Sequence, residues 1–203
     1  MSECSLTTLV PVTIARRAVA LPPEERRQAI VEATLPLLMS HGTAVTTRQI
    51  AECAGIAEGT IFRVFPDKDA LIAAVVEKAL DPAPLEARLA RIDRRQPLEA
   101  RLTEAVRAMQ ERNESIWQLI SNVGFTASPE RDELRRRNLA DLPALIALLA
   151  PDSERLRFDA RANARRLRAL TTACSHPALI GDEPLSADDI VSLFLDGARR
   201  HDR

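Results

Sequence analysis

The 203-residue chain has no tyrosine, one tryptophan and five phenylalanines, so aromatic residues make up only 3% of it. Its three cysteines, Cys4, Cys53 and Cys174, are odd in number, far apart and without C-x-x-C spacing, which argues against a disulfide framework or a zinc site. The three histidines, His41, His176 and His201, are scattered. No Ser-His-Asp or paired-carboxylate arrangement stands out, so no catalytic residue, metal ligand or cofactor is expected. The six glycines form no phosphate-cradling loop. No apolar run approaches the roughly eighteen residues that a membrane span requires. Arg16 and Arg17 are not followed by an apolar segment with a cleavage site, so a secretory signal is not expected either. These absences point to a cytoplasmic protein that is not an enzyme.

An excess of one charge is also missing. The formal net charge is −1, whereas indiscriminate nucleic-acid binders carry a basic excess. Residues 1–68 hold seven basic residues (Arg16, Arg17, Arg26, Arg27, Arg48, Arg63 and Lys68) and seven acidic ones (Glu3, Glu24, Glu25, Glu32, Glu52, Glu58 and Asp67). Any contact with nucleic acid must therefore come from placement, with Arg48, Arg63 and Lys68 on one side and acids turned away. Such binding would be weak without sequence recognition and strongly salt-dependent.

Apolar residues at 46% and charged residues at 28% place the chain among ordinary globular proteins. The most informative stretch runs from Thr46 to Phe65. Thr46 can cap a helix, Gln49 three residues on can reach back to it, and Val45 can pack on Ile50. Ile50, Ala51 and Ala54 share one helical face, and Gly55 follows where a helix ends in a left-handed residue. Ile56 is placed to plug the angle to a second helix that begins Gly59-Thr60-Ile61-Phe62 with small and polar groups. A helix end of that kind can approach a major groove about 12 Å wide.

The run from Thr46 to Ala51, then Ala54-Gly55-Ile56, Gly59 to Phe62 and Phe65-Pro66-Asp67-Lys68-Asp69-Ala70-Leu71 resembles the DNA-binding domain of the tetracycline-repressor (TetR) family of bacterial transcriptional regulators. The resemblance covers roughly residues 24 to 80, with the remainder similar only in helical architecture. It implies an all-α fold: an N-terminal three-helix DNA-binding domain with a helix-turn-helix, followed by a C-terminal helical bundle for ligand binding and dimerisation. Residues 1–22 are then an N-terminal arm, 23–68 the DNA-binding domain and 69–203 the ligand-binding and dimerisation domain. The DNA-contacting positions it implies are Thr47, Arg48, Glu58, Gly59, Thr60, Phe62, Arg63 and Lys68. Phe62 stands where the family usually has Tyr, and Ala57 where it usually has a capping Ser worth about 1 kcal/mol. Phe62 is open to either a core or a contact role. Glu58 can accept from a cytosine amino group but is repelled by phosphates.

Elsewhere the chain reads as helices throughout. Glu24 to His41 places Ile30, Ala33, Leu37 and Leu38 at helical spacing, with Pro36 expected to kink the helix. Asp67 caps a helix to about Leu80 that is apolar nearly all round, so it is expected to connect head and body. Further helices are expected at 84–94, 97–112, 113–124, 129–150 with a break near Pro143, 154–175 and 186–200. Leu156, Ala160, Ala164, Leu167, Leu170 and Cys174 form one apolar stripe; Ile190, Val191, Phe194, Leu195 and Ala198 form another. Arg157, Arg161, Arg165 and Arg168 run beside the first and would need carboxylates, for which Asp188, Asp189 and Asp196 are candidates.

The resemblance implies a homodimer through these last two helices and a palindromic double-stranded operator. It also implies a small-molecule effector, apolar or amphipathic if it sits among Met109, Ile116, Trp117, Ile120, Val123 and Phe125 in the middle helices. The leading expectation is a repressor released by that effector. A redox-sensing regulator using Cys53 is the alternative, although Cys53 is expected to serve packing inside its helix. A helical enzyme without recognisable motif is the third reading.

Overall fold

The computed structural model describes residues 22–124, 140–181 and 183–199. The expected arm lies almost wholly outside them, as does Phe125. Among the described residues there are ten α-helices and no β-strand.

Helix α1 (Pro23–His41) starts with proline in its first turn, where no amide partner is needed, and with Glu24 and Glu25 at the positive end of its dipole. It buries Ile30, Val31, Thr34 and Leu38 and leaves Ala33 and Leu37 half-buried. The Thr34 hydroxyl is kept inside by donating to the Ile30 carbonyl at 2.6 Å. The helix remains α-helical across Pro36, which is exposed.

Helices α2 (Thr47–Ala54) and α3 (Glu58–Val64) follow, then α4 (Lys68–Leu80). Val45, Ile50, Ile61 and Phe65 join Ile30, Leu38 and Leu71 in one core. All four buried residues of α4, Leu71, Ile72, Ala74 and Val75, belong to this head core.

The body comprises α5 (Ala83–Leu89), α6 (Leu98–Val123), α7 (Pro143–Leu149), α8 (Ala160–Ser175), the short α9 (Pro177–Ile180) and α10 (Ala187–Ala198). Helix α6 replaces the two helices expected at 97–112 and 113–124. Neither glycine nor proline interrupts it, and its buried stripe continues through Met109, Ile116 and Leu119. Met109 lies in the body core and Leu119 in the head core. The element that enters both cores is therefore α6, while α4, expected to connect head and body, packs into the head core and meets the body where Arg112 of α6 donates to the Leu80 carbonyl at 2.8 Å.

At that joint α1 ends at Gly42, whose φ of 56° is a left-handed-side value. A Cβ there would sit 2.6 Å from the Asn122 main-chain oxygen, so glycine is required twice over. The Asn122 amide also donates to the Met39 carbonyl at 2.5 Å.

Helix α8 begins at its Asp159 cap, later than expected, so Leu156 and Arg157 precede it. They lie against the end of α10, with the Arg157 amide donating to the Ala198 carbonyl at 2.7 Å. Both apolar stripes face this chain's own core: Ala164, Leu167, Ile190, Val191, Phe194, Leu195 and Ala198 are buried there. Asp188 and Asp189 are not the carboxylates that meet the arginine row. Arg161 and Arg165 reach Asp141 at 3.2 and 2.6 Å, and Arg168 donates to the Ala140 carbonyl. Asp188 instead accepts from Thr103 and Arg107, and Asp189 from Ser186. The cause is tertiary, since the segment just before α7 is laid along α8.

Among the described residues, one charge lies in the body core. Arg101 is 3% exposed, with Nε donating to the Leu148 carbonyl at 2.7 Å, Nη1 to the Gln96 carbonyl at 2.9 Å and Nη2 to Asp152. Burial pushes the Asp152 carboxyl up, but hydrogen bonds and charge from Arg101 and Arg155 outweigh it and hold the group below its ordinary value.

Candidate nucleic-acid interface

Local sequence fixes the geometry of the α2–α3 unit. The Thr46 side chain accepts from the Gln49 amide at 3.2 Å, and the Gln49 side chain accepts from the Thr46 amide at 2.8 Å, which completes the capping box. Gly55, at φ 65° and ψ 35°, ends α2 in the left-handed conformation and donates back to its last turn. Ile56, half-buried against the head core, then redirects the chain into α3.

Helix α3 has two unlike sides. Ile61 is fully buried. Glu58, Gly59, Phe62 and Arg63 are exposed, and their i, i+1, i+4, i+5 spacing makes them one face, with Thr60 half-buried at its edge. Phe62 is 51% exposed, which decides against a core role. A Cβ on Gly59 would meet nothing within 4 Å, so no neighbour in the chain demands glycine there. As its residue types suggest, Ala57 supplies no side-chain cap to α3, and the carboxylate of Glu58 in the first turn offsets part of that loss.

The remaining expected contact residues surround this face and are tied to partners within the chain. The Thr47 hydroxyl donates to the Glu58 carboxylate, linking the start of α2 to the start of α3. Arg48 pairs with Glu52 one turn on, Nε to carboxylate at 2.9 Å, with both side chains largely in solvent. The hydrogen bond and charge of Glu52 hold the Arg48 guanidinium still more firmly protonated than usual. The Lys68 ammonium donates to the Thr43 carbonyl at 2.6 Å, while Asp67 caps α4 by accepting from the Ala70 amide at 2.7 Å. No ion pair involves Arg63 among the described residues. Glu52 did not figure among the expected site residues; its i+4 spacing from Arg48 was the available signal.

Four of the residues expected around an effector lie on α6. Met109 and Ile116 are buried, and Trp117 and Ile120 are half-buried on α6. The indole Nε1 of Trp117 is enclosed without a hydrogen-bond partner among the described residues, and the His176 ring stands edge-on to it at 82°. A groove of about 490 Å³ opens elsewhere, between α1 and α4 at the head–body joint. It is lined by Glu24, Arg27, Val31, Glu77, Lys78 and Asp81 among others, and by none of the expected effector residues. Cys53, expected to pack inside α2, is exposed, with its thiol 3.5 Å from the Ala33 carbonyl. Among the described residues no cluster of His, Cys, Asp and Glu could hold a metal ion, and no helix is long and apolar enough to cross a membrane.

Comparison with known proteins bears on this arrangement. Residues 30–75 match the family described as "Bacterial regulatory proteins, tetR family". The chain is 36% identical over 91 residues to the HTH-type transcriptional repressor KstR of Rhodococcus jostii, covering 43% of this chain and 42% of that protein. It is 35% identical over 57 residues to the nucleoid occlusion factor SlmA of Actinobacillus pleuropneumoniae, covering 27% of this chain and 28% of that protein. It thus spans less than half the length of these curated relatives. A crystal structure from Mesorhizobium loti, of a protein assigned to the TetR-family transcriptional regulators, has the same fold. It superposes with a TM-score of 0.65 at 20% identity, over 89% of this chain and 100% of that one. Residues 30–75 of the head thus match the tetR-family model, and the all-helical fold is the one seen in the Mesorhizobium loti structure.

Proposed function

We propose that this chain is a ligand-responsive transcriptional regulator that binds a palindromic double-stranded operator as a homodimer, and that it represses until a small apolar or amphipathic effector releases it. The division is an arm at 1–22, a reading head at 23–68 and a body at 69–203, whose first helix, α4, packs into the head core. The observation that carries the reading is the outward face of α3, where Glu58, Gly59, Phe62 and Arg63 are exposed while Ile61 anchors the helix in the head core. A short helix held this way presents polar groups and a bare main-chain surface to a major groove. Thr47, Arg48 and Lys68 flank it at the positions where phosphates are held, with Thr60 at its edge.

The dimer contact lies on the outer sides of α8 and α10, since their apolar stripes are occupied within the chain. Leu193, 54% exposed on α10, and the exposed Ala169 and Ala173 on α8 supply a surface for a second copy. The reading puts the effector near Trp117, whose enclosed indole N–H has no hydrogen-bond partner among the described residues.

Selection of duplexes from a random pool, followed by binding measurements with Thr60→Ala and Arg63→Ala, tests this reading. Each variant is expected to lose about 1–3 kcal/mol of operator affinity while remaining dimeric by sedimentation. Undiminished binding would remove α3 from the recognition role. A second reading, redox sensing through Cys53, is favoured by the exposure of that thiol; alkylation that leaves DNA binding unchanged dismisses it.

A further inference from the structure

Residues 46–68 carry three cations, Arg48, Arg63 and Lys68, and three anions, Glu52, Glu58 and Asp67, so the helix-turn-helix has no net charge. Two of the anions are joined to groups suited to phosphate contact. Glu58 accepts from the Thr47 hydroxyl, and Glu52 pairs with Arg48 at 2.9 Å. Asp67 differs, because its carboxylate caps α4. All four of the joined side chains are reachable from solvent, and Arg48 and Glu52 are 80% and 64% exposed. A phosphate must therefore displace a carboxylate from each of the two groups before gaining them as partners, and the displaced carboxylates then stand beside the DNA.

Resting on the DNA-binding reading, we propose that Glu58 is the specificity-determining residue of this head: with Glu52 it competes internally against phosphates, and it accepts a duplex only where a cytosine amino group replaces the Thr47 hydroxyl as its donor. A carboxylate can accept from cytosine N4, and no other base edge in the major groove offers it an equally placed donor without an adjacent acceptor. On a wrong sequence the Glu58 carboxylate loses its partner and faces phosphate charge. On the right one it exchanges one hydrogen bond for another and frees Thr47 for the backbone. Discrimination is thereby built from rejection as much as from attraction. Glu52 acts on affinity alone, since releasing Arg48 gains a phosphate contact on any sequence.

The full-length chain and its Glu58→Gln, Glu52→Gln and Thr47→Val variants are each used to select duplexes from a random-sequence pool. Affinities for the wild-type-selected duplex and for a random duplex are then measured over a salt series. The wild type is expected to select a cytosine at a fixed position in each half-site. Glu58→Gln loses that cytosine, binds the random duplex about threefold to tenfold more tightly, and discriminates about tenfold less. Glu52→Gln keeps the cytosine and steepens the salt dependence by about 0.9 in log–log slope, the value for one added phosphate contact. Thr47→Val, which removes the tether but not the carboxylate, keeps the cytosine preference. Unchanged helicity and melting of these surface variants separate the effects from misfolding. Retention of the selected base and of the specificity ratio in Glu58→Gln overturns the inference while leaving the DNA reading intact. Failure of the wild type to enrich any duplex overturns the DNA reading and this inference with it.

Discussion

The head and the body use the same charged residue types in opposite ways. In the body, Arg101 is buried and held by two carbonyls and Asp152, so its charge ties α6 to the segment that follows α7. In the head, Arg48 lies in solvent and pairs, among the described residues, with a glutamate one turn away. An exposed pair of that kind contributes little to folding, whereas breaking a buried pair leaves an uncompensated charge. The difference teaches where function resides. Charge locked into architecture cannot be lent to a ligand, while charge held by a weak local partner can be exchanged for a phosphate.

The comparison can be broken most forcefully from the body side. Asp152→Ala is expected to cost about 3–5 kcal/mol of stability, read by thermal or denaturant unfolding. DNA binding per folded molecule should be unchanged. Folding lowers the Asp152 pKa, so the unfolded chain holds that proton more tightly. The stabilisation is complete above the ordinary Asp value of about 4 and is lost as pH falls through the lowered folded value. The wild type should lose stability through that acid window more steeply than the variant does.

Gly42→Ala comes next. It forces a non-glycine residue into φ 56° and sets its Cβ against the Asn122 main chain. A cost of about 1–3 kcal/mol is expected, with proteolysis appearing first near the joint, because the strain falls where head meets body. Gly59→Ala is the smallest change and the sharpest one. Its Cβ meets nothing in the chain, and alanine is the better helix former, so stability should rise by up to about 1 kcal/mol. If α3 approaches DNA closely, affinity for a selected duplex falls at the same time. Improved melting with unimpaired binding would show that the surface at Gly59 is not where DNA sits.

What could be read from sequence is what neighbouring residues decide among themselves. Thr46 with Gln49, Gly55 after α2, Asp67 before α4 and Ser186 before α10 all do what their types and spacing predict, because a cap needs only three or four residues. The continuity of α6 is equally local, since no glycine or proline stands at residues 112 and 113 to divide it into the two helices expected there. What could not be read depends on chain segments far apart in sequence. Asp141 meets Arg161 and Arg165 only once α7 has been laid against α8, and the Thr47 hydroxyl finds Glu58 only after the turn at Gly55 has closed. The exposed face of α3 lay between these cases. Its spacing was legible, but whether Phe62 turned outward depended on Ile61 filling the head core.

Twenty-six residues of uninterrupted helix make α6 about 39 Å long. One rod of that length seats Met109 among the body's apolar side chains and Leu119 among those of the head. Neither seat can shift alone, because close-packed interiors pass displacement on rather than absorb it. A tilt of about five degrees imposed at the body end would swing the other end by about 3 Å, on the scale of a hydrogen bond's reach. Whatever repacks the surroundings of Met109 therefore also moves the floor on which the two short helices stand.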